Sequence, residues 1–369
     1  MSETVEKIIE AVNSTNGTDT ESILKKTPAT FEGMMMAYSS LVIMALIPIY
    51  LGAFRSVKLH IQNKLKKEVP ESMTTKDAMM FPVIASGALF TLFIIFRIFP
   101  KEYINILVTI YFYILGVAAL NNLLANLFSV MMPKSVPKTE YQLQFIKGSN
   151  DSKVDWINVK FSLHDVLCFI MCALLGAVYL YNKHWIVNNV FGLAFAINGV
   201  ELLHLNNIKI GCILLCGLFF YDIFWVFGTN VMVTVAKSFD APIKLIFPQD
   251  LIENGVLSAS NFAMLGLGDI VIPGIFIAFL LRFDQSLKRK TNLYFNATFL
   301  AYFLGLLTTV FVMHVFKAAQ PALLYLVPAC LITPMLIAVV CGDLKTLFNY
   351  EDHDMIIKDS SNSKETKED

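Results

Sequence analysis

Charged residues are scarce in this sequence. They make up 16% of its 369 residues, whereas hydrophobic residues make up 56%. A soluble domain of this length would carry more charge, so the composition indicates a polytopic membrane protein. Basic and acidic residues both number 29, which leaves a formal net charge of zero. The chain has no bulk positive charge to attract nucleic acid, and we expect no nucleic-acid partner.

A zinc-binding pattern is also missing. No histidine pair or second cysteine pair stands at the spacing that would complete a zinc site. We therefore expect no metal, and we interpret the cysteines as small buried hydrophobic residues on apolar segments. There are six of them: Cys168, Cys172, Cys212, Cys216, Cys330 and Cys341.

The first 33 residues lack an apolar core, so we expect no cleavable signal peptide. They carry two acceptor sequons, at Asn13 and Asn16. Two sequons in a short polar tail predict a lumenal N-terminus that is glycosylated at both asparagines. The first apolar segment, 34–54, would then act as an uncleaved signal anchor.

Long apolar runs dominate the rest of the chain and predict an all-α fold of about nine transmembrane helices. The polar loop 133–162 divides them into a three-helix part, 34–132, and a six-helix part, 163–341. A polar tail, 342–369, is expected to be disordered. The nine predicted spans are 34–54, 78–99, 103–132, 163–181, 185–205, 208–236, 261–281, 293–316 and 321–341.

The basic residues are distributed unevenly between the two sides of these spans. With the N-terminus in the lumen, the cytosolic segments, which include 133–162 and 342–369, hold 20 lysines and arginines, and the lumenal segments hold 8. The positive-inside rule therefore predicts a lumenal N-terminus and a cytosolic C-terminus.

Two of the predicted spans each carry one aspartate near the middle. Asp222 lies in span 208–236 and Asp269 lies in span 261–281. A carboxylate within a membrane costs roughly 2.5–3.5 kcal/mol on insertion scales, so both need a functional explanation. If the two helices are antiparallel, the aspartates lie at nearly equal depth and can face each other. Paired carboxylates that share a proton can activate water and polarise a peptide carbonyl.

Three short motifs occur in order along the chain: Tyr221-Asp222, then Gly266-Leu267-Gly268-Asp269, then Gln320-Pro321-Ala322-Leu323. Together they resemble the YD, GxGD and PAL motifs of the presenilin and signal peptide peptidase families of intramembrane aspartyl proteases. The flanking residues are closer to the signal peptide peptidases, and the resemblance covers nearly the whole chain.

The resemblance implies a presenilin-like fold and an aspartic endopeptidase that cleaves peptide bonds within transmembrane helices. It assigns catalysis to Asp222 and Asp269 and a supporting role to the other motif residues. Its substrates would be transmembrane remnants of signal peptides, in the endoplasmic reticulum membrane. The aspartate pair activates water directly, so no cofactor is required. Membrane lipid is an expected partner, and a homo-oligomer is compatible with this reading.

Two other functions stay open at this point. An ion- or proton-coupled transporter could use the intramembrane aspartates, although the sequence contains no inverted repeat. A catalytically dead relative could act as a chaperone for membrane substrates, but it would not need both aspartates.

Several motif residues also have structural interpretations. Gly266 and Gly268 could serve ordinary helix packing instead of close approach to a substrate, and Tyr221 could anchor packing. Pro321 could simply begin a helix. Glu201 and His204 are predicted to share one face of a helix, where pairing near the membrane boundary is favoured over a wet cavity.

Overall fold

A computed structural model describes residues 30–66, 72–131, 139–147, 154–229, 231–238, 241–259, 261–316 and 320–352. Within these ranges the protein is mainly helical. The helices are α1 (Phe31–Lys66), α2 (Thr75–Ile98), α3 (Lys101–Met131), α4 (Leu163–Asn182), α5 (Trp185–Leu202), α6 (Ile208–Phe227), α7 (Val231–Ser238), α8 (Leu251–Ser258), α9 (Gly268–Ser286), α10 (Leu293–Phe316), α11 (Leu323–Cys341) and α12 (Leu344–Asn349).

Short strands accompany the helices in three pairs. β1 (Ser72–Met73) pairs in parallel with β4 (His204–Leu205), and β2 (Glu140–Lys147) pairs antiparallel with β3 (Val154–Ser162). β5 (Lys244–Pro248) pairs with β6 (Phe262–Gly266). The β2–β3 pair occupies most of the connection that was predicted only as a polar loop.

Eight of the described helices are long and apolar enough to cross a membrane: α1 to α6, α10 and α11. This confirms the prediction of an all-α polytopic membrane protein. Polar residues set some of the boundaries. Thr74 and Asp77 form a capping box at the start of α2, and Ser162 and Asp165 form another at the start of α4. Each box satisfies backbone N–H groups that a first helical turn leaves unpaired.

The seventh predicted span, 261–281, differs from the structure. Its first residues form strand β6, and the helix begins only at Gly268. Helix α9 also carries Arg282 and Asp284, which are both buried. Its middle, from Ile275 to Leu281, is almost fully buried. A helix that is apolar all round belongs in a protein interior, and α9 packs against α5, α6, α10 and α11.

Two further boundaries differ from the prediction. The long span 208–236 is two helices, because α6 ends at Phe227 with Gly228 as its cap and α7 follows from Val231. The tail predicted as disordered from residue 342 begins with a folded segment that includes α12. Asp352, just beyond α12, is 5% exposed and pairs with Arg282 of α9 at 2.8 Å. This ion pair fixes the segment against α9.

The chain divides into two compact units. In the first, which includes 247–263, Asp250 is fully buried and its carboxylate accepts hydrogen bonds from the Asn261 backbone and the Asn254 side chain. The second unit comprises 41–246 and 264–369. Both predicted catalytic aspartates lie in this second unit.

Candidate active site

The two aspartates lie on neighbouring helices of the second unit. Asp222 is on α6 and is 3% exposed, whereas Asp269 is in the first turn of α9 and is partly exposed. Helices α6 and α9 contact each other. Asp269 was expected near the middle of a span and is instead near a helix start, because the residues before it are extended.

The segment that leads to Asp269 is held in an extended form by backbone hydrogen bonds. The Leu267 N–H donates to the Ile243 carbonyl at 3.0 Å, at the end of the β5–β6 pair. The Leu267 carbonyl then accepts from the N–H groups of Ile270 and Val271, which starts α9. The Gly266-Leu267-Gly268-Asp269 motif is therefore a strand-to-helix junction, and its hydrogen bonds fix the position of Asp269.

The two glycines of this motif have different surroundings. A Cβ atom added to Gly266 would lie 3.4 Å from Oδ2 of Asp269. A Cβ atom added to Gly268 would have no described atom within 4 Å. Neither glycine meets a neighbouring helix among the described residues, so the helix-packing interpretation does not apply here. Gly266 allows space beside the carboxyl group, and Gly268 leaves the start of α9 open.

The Gln320-Pro321-Ala322-Leu323 segment meets the first aspartate. The backbone N–H of Leu323 donates a hydrogen bond to Oδ2 of Asp222 at 3.0 Å. Leu323 is the first residue of α11, so this N–H has no partner within its own helix. Asp222 supplies that partner, and the helix terminus is also a favourable place for a carboxylate. Pro321 precedes the helix, where its missing N–H costs no helical bond.

A cavity of about 100 Å³ lies against Asp269. A cavity of this size has room for water. Gly266, Gln320 and Ala322 line it, together with apolar side chains from α1 and α10. The GxGD-like and PAL-like motifs therefore border one space. Tyr221 does not line it, and its ring lies 6.4 Å from that of Trp225, which agrees with a packing role.

Three polar residues that the sequence did not indicate support this arrangement. Tyr302 is fully buried, and its hydroxyl donates to the Asp269 backbone carbonyl at 3.3 Å. Asn189 on α5 bonds both backbone groups of Ile246, donating to the carbonyl at 2.6 Å and accepting from the N–H at 2.9 Å. Asn188 donates to the Lys244 carbonyl at 2.9 Å. The asparagines fix β5, which in turn holds the segment before Asp269.

The prediction that Glu201 and His204 share one face of a helix is wrong. Helix α5 ends at Leu202, and His204 belongs to strand β4. Glu201 pairs with Arg55 at 2.6 Å, so its role is structural. The predicted glycosylation sites, Asn13 and Asn16, lie outside the described residues. Within the described part of the chain, no group of three metal-ligating side chains was found.

Comparison with known proteins identifies close relatives. A family model described as signal peptide peptidase matches residues 65–354. The signal peptide peptidase of Mus musculus is 54% identical over 359 residues, which cover 97% of this chain and 92% of the mouse protein. That of Homo sapiens is 54% identical over 343 residues, which cover 93% of this chain and 90% of the human protein.

More distant proteins match as well. A probable intramembrane protease of Schizosaccharomyces pombe is 33% identical over 326 residues, which cover 86% of this chain and 94% of the yeast protein. A solved structure of a presenilin family intramembrane aspartate protease aligns with a TM-score of 0.46 and 13% identity, over 80% of this chain and 96% of that one.

The sequence relatives confirm the resemblance that the three motifs indicated and favour the protease over the transporter. The family model covers most of the chain, and relatives more than half identical align along nearly its whole length. The chain therefore belongs to the signal peptide peptidase family and is an aspartic-type intramembrane endopeptidase.

Proposed function

We propose that Asp222 and Asp269 are the catalytic pair of this protease. The observation that carries the proposal is that one segment, the start of α11, meets both aspartates: the Leu323 N–H bonds the Asp222 carboxylate, and Ala322 lines the cavity that lies against Asp269. Two neighbouring carboxyl groups in poorly solvated surroundings keep one proton between them, because mutual repulsion and poor solvation oppose a double charge.

The reaction follows from that shared proton. The ionised carboxylate takes a proton from a water molecule, and the water oxygen attacks the peptide carbonyl carbon. The protonated partner gives its proton to the carbonyl oxygen. When the tetrahedral diol intermediate collapses, the C–N bond breaks, the leaving nitrogen takes the proton that the first carboxylate gained from water, and a hydroxyl of the diol returns a proton to the second carboxylate. The two carboxyl groups titrate as a unit, so neither is assigned as the acid.

The supporting residues position this pair. Gly266 provides space next to Asp269, the Leu323 N–H orients Asp222, and Gln320 and Ala322 border the water cavity. A helical substrate hides its carbonyl groups in its own hydrogen bonds and must unwind before cleavage. We propose that the unwound segment pairs in an extended form with the backbone near β6 and Pro321, as in strand addition.

The substrates proposed are transmembrane signal-peptide remnants in the endoplasmic reticulum membrane. Support comes from the names of the mouse and human relatives and, for orientation, from the excess of basic residues on one side of the spans. In this orientation the N-terminal tail is lumenal, and residues 163–341 form the catalytic part. Treatment with a glycosidase should shift the mobility of the wild type, and Asn13→Gln combined with Asn16→Gln should abolish that shift. Sugar on Asn150 would contradict the orientation.

Cleavage of a signal-peptide-like helix by the purified full chain in liposomes tests the catalytic pair. Asp222→Asn and Asp269→Asn should each lower the rate by about 10²–10⁴-fold, which is the usual contribution of a positioned acid or base. Asp165→Asn is the matched control, because Asp165 caps α4 and lies outside the site. Wild-type rates in either site variant would refute the assignment.

A further inference from the structure

Pro273 stands inside α9, four residues after Asp269. Proline has no backbone N–H, so it cannot make the hydrogen bond that joins each helical residue to the carbonyl four positions earlier. The carbonyl that loses its helical donor at this point is that of Asp269. The sequence of α9 therefore leaves a backbone acceptor without a helical partner on a residue that carries one of the two carboxyl groups of the site.

The hydroxyl of Tyr302 takes the place of the missing N–H. It donates to the Asp269 carbonyl oxygen at 3.3 Å from the neighbouring helix α10. The Tyr302 side chain is fully buried. A polar group removed from water is costly when it has no partner, and this bond satisfies the hydroxyl and the carbonyl together. A donor on α10 thus replaces a donor that α9 lacks.

The proline also separates the first turn of α9 from the rest of the helix. Beyond it, residues Ile275 to Leu281 are at most 2% exposed, so close packing fixes them. The turn before it is partly exposed, and packing constrains it less. Hydrogen bonds tie this turn to its surroundings instead: the Leu267 N–H bonds the Ile243 carbonyl on one side, and the Tyr302 hydroxyl bonds the turn itself on the other.

The helix that carries Tyr302 also forms a wall of the active-site cavity. Leu306 lines this cavity and lies four residues, about one helical turn, beyond Tyr302. The bond from the Tyr302 hydroxyl therefore fixes Asp269 relative to the wall that faces it. Without the bond the carboxyl group can shift within the site, and a displacement of about 1 Å at a reacting group can cost about 10²-fold in rate.

We infer that Tyr302 is a positioning residue for Asp269, and that Pro273 makes it necessary by removing the helix's own donor. The inference rests on the proposed catalytic role of Asp269. Tyr302 does not line the cavity, so it acts through the Asp269 backbone and takes no part in proton transfer. A residue with an N–H at position 273 should make the Tyr302 hydroxyl dispensable.

Cleavage of a signal-peptide-like helix by the purified full chain in liposomes tests this, at a temperature where thermal unfolding shows every variant to be folded. Tyr302→Phe removes the hydroxyl and keeps the ring. It should lower kcat by about tenfold to a hundredfold with little change in KM, because the hydroxyl acts on a reacting group and does not contact the substrate. Tyr294→Phe is the matched control and should keep the wild-type kcat. Tyr294 is also fully buried on α10, but its hydroxyl bonds Asp343, which does not line the cavity.

Pro273→Ala supplies the second arm of the experiment. It restores an N–H that can bond the Asp269 carbonyl within the helix. Alone it should keep most of the wild-type kcat, and in combination with Tyr302→Phe it should recover most of the kcat that the single tyrosine variant loses. A role of Tyr302 in global stability alone would lower the melting temperature and leave kcat of the folded protein unchanged.

A wild-type kcat in Tyr302→Phe, an equal loss in Tyr294→Phe, or no recovery in the double variant would overturn the inference. Asp269→Asn, measured in parallel, separates this result from a failure of the proposed function. If Asp269→Asn is inactive and Tyr302→Phe is fully active, Asp269 is catalytic and only the positioning role is refuted. If Asp269→Asn cleaves at the wild-type rate, the catalytic assignment itself is refuted, and the inference that rests on it falls too.

Discussion

The backbone N–H of Leu323 and the carboxylate of Asp222 are joined by a 3.0 Å hydrogen bond between two buried residues that are 101 positions apart in the chain. The bond connects the third motif of the sequence with the first. It gives the PAL-like segment a specific task, which is to orient a carboxyl oxygen through the unpaired N–H of a helix start.

The role of this bond can be separated from catalysis. Asp222→Asn keeps an oxygen that accepts from Leu323, whereas Asp222→Ala leaves that buried N–H unpaired. Both variants should lose cleavage, but only the alanine variant should lose stability, by about 1–3 kcal/mol. Thermal unfolding in detergent measures this difference. The pair Asp269→Asn and Asp269→Ala is the control and should show a smaller gap. Equal melting temperatures for the two Asp222 variants would contradict the finding.

Gly266 should be sensitive to the smallest side chain. In Gly266→Ala the new methyl group lies 3.4 Å from Oδ2 of Asp269 and borders the cavity that we propose holds the reacting water. Because small displacements of reacting groups are costly, we expect cleavage to fall by about tenfold to a hundredfold with little change in melting temperature. Gly87→Ala on α2, where no described atom lies within 4 Å of the added carbon, is the control and should keep wild-type activity. Full activity of Gly266→Ala would show that the space is not needed.

Asn189 should affect the site from a distance through β5. Asn189→Leu keeps the approximate size but removes both hydrogen bonds to Ile246, so β5 and the junction before Asp269 lose their support. We expect lower cleavage and, because two part-buried backbone groups lose partners, a lower melting temperature. Asn198→Leu is the matched control on the same helix, since its hydrogen bonds go to α3 and α5 instead. At a temperature where both variants stay folded, only Asn189→Leu should cleave slowly, and equal rates would contradict the positioning role.

His204 should make stability depend on pH. Burial is the main cause that lowers the pKa of His204 to about 4, and the charge of Arg282 acts in the same direction. The unfolded chain titrates this side chain near its ordinary value of 6.5. Between these values the unfolded state binds a proton that the folded state does not bind. The contribution of neutral His204 to the stability is therefore complete above pH 6.5 and is lost as the pH falls toward 4.

Melting temperatures at pH 7.5 and pH 5 test this. The wild type should melt at a lower temperature at pH 5, and His204→Asn, which can still bond the Leu202 carbonyl through its amide, should show a smaller decrease. His184→Asn replaces a histidine that caps α5 and should behave as the wild type does. An identical pH dependence in all three proteins would assign the effect to other groups.

Much of this arrangement could be predicted from the sequence, because its parts leave strong local signals. Aspartates are rare in apolar segments, so Asp222 and Asp269 stand out, and three motifs in a fixed order point to one family. The β6 strand was missed because a short apolar run such as Phe262–Gly266 has the same composition in a strand as in a buried helix. Hydropathy alone therefore extended the helix through the junction and placed Asp269 too deep within it.

The polar contacts that complete the site had no such signal. Asn189 and Tyr302 are single polar residues within apolar segments, and their partners are backbone groups far away in the sequence. Asp352 lies in a polar tail of ordinary composition, so nothing local indicates that it pairs with Arg282. Such pairs depend on tertiary proximity, which only the folded structure provides.

The burial of α9 has a consequence for how the protein assembles in the membrane. This helix carries Asp269 at one end and Arg282 and Asp284 at the other, so lipid is a poor solvent for it. Two of the helices that cover it, α10 and α11, follow it in the chain. Newly made α9 must therefore stay sheltered until these two helices have been synthesised and can pack against it. Truncation of the chain after α9 should leave a protein that fails to integrate stably and is degraded.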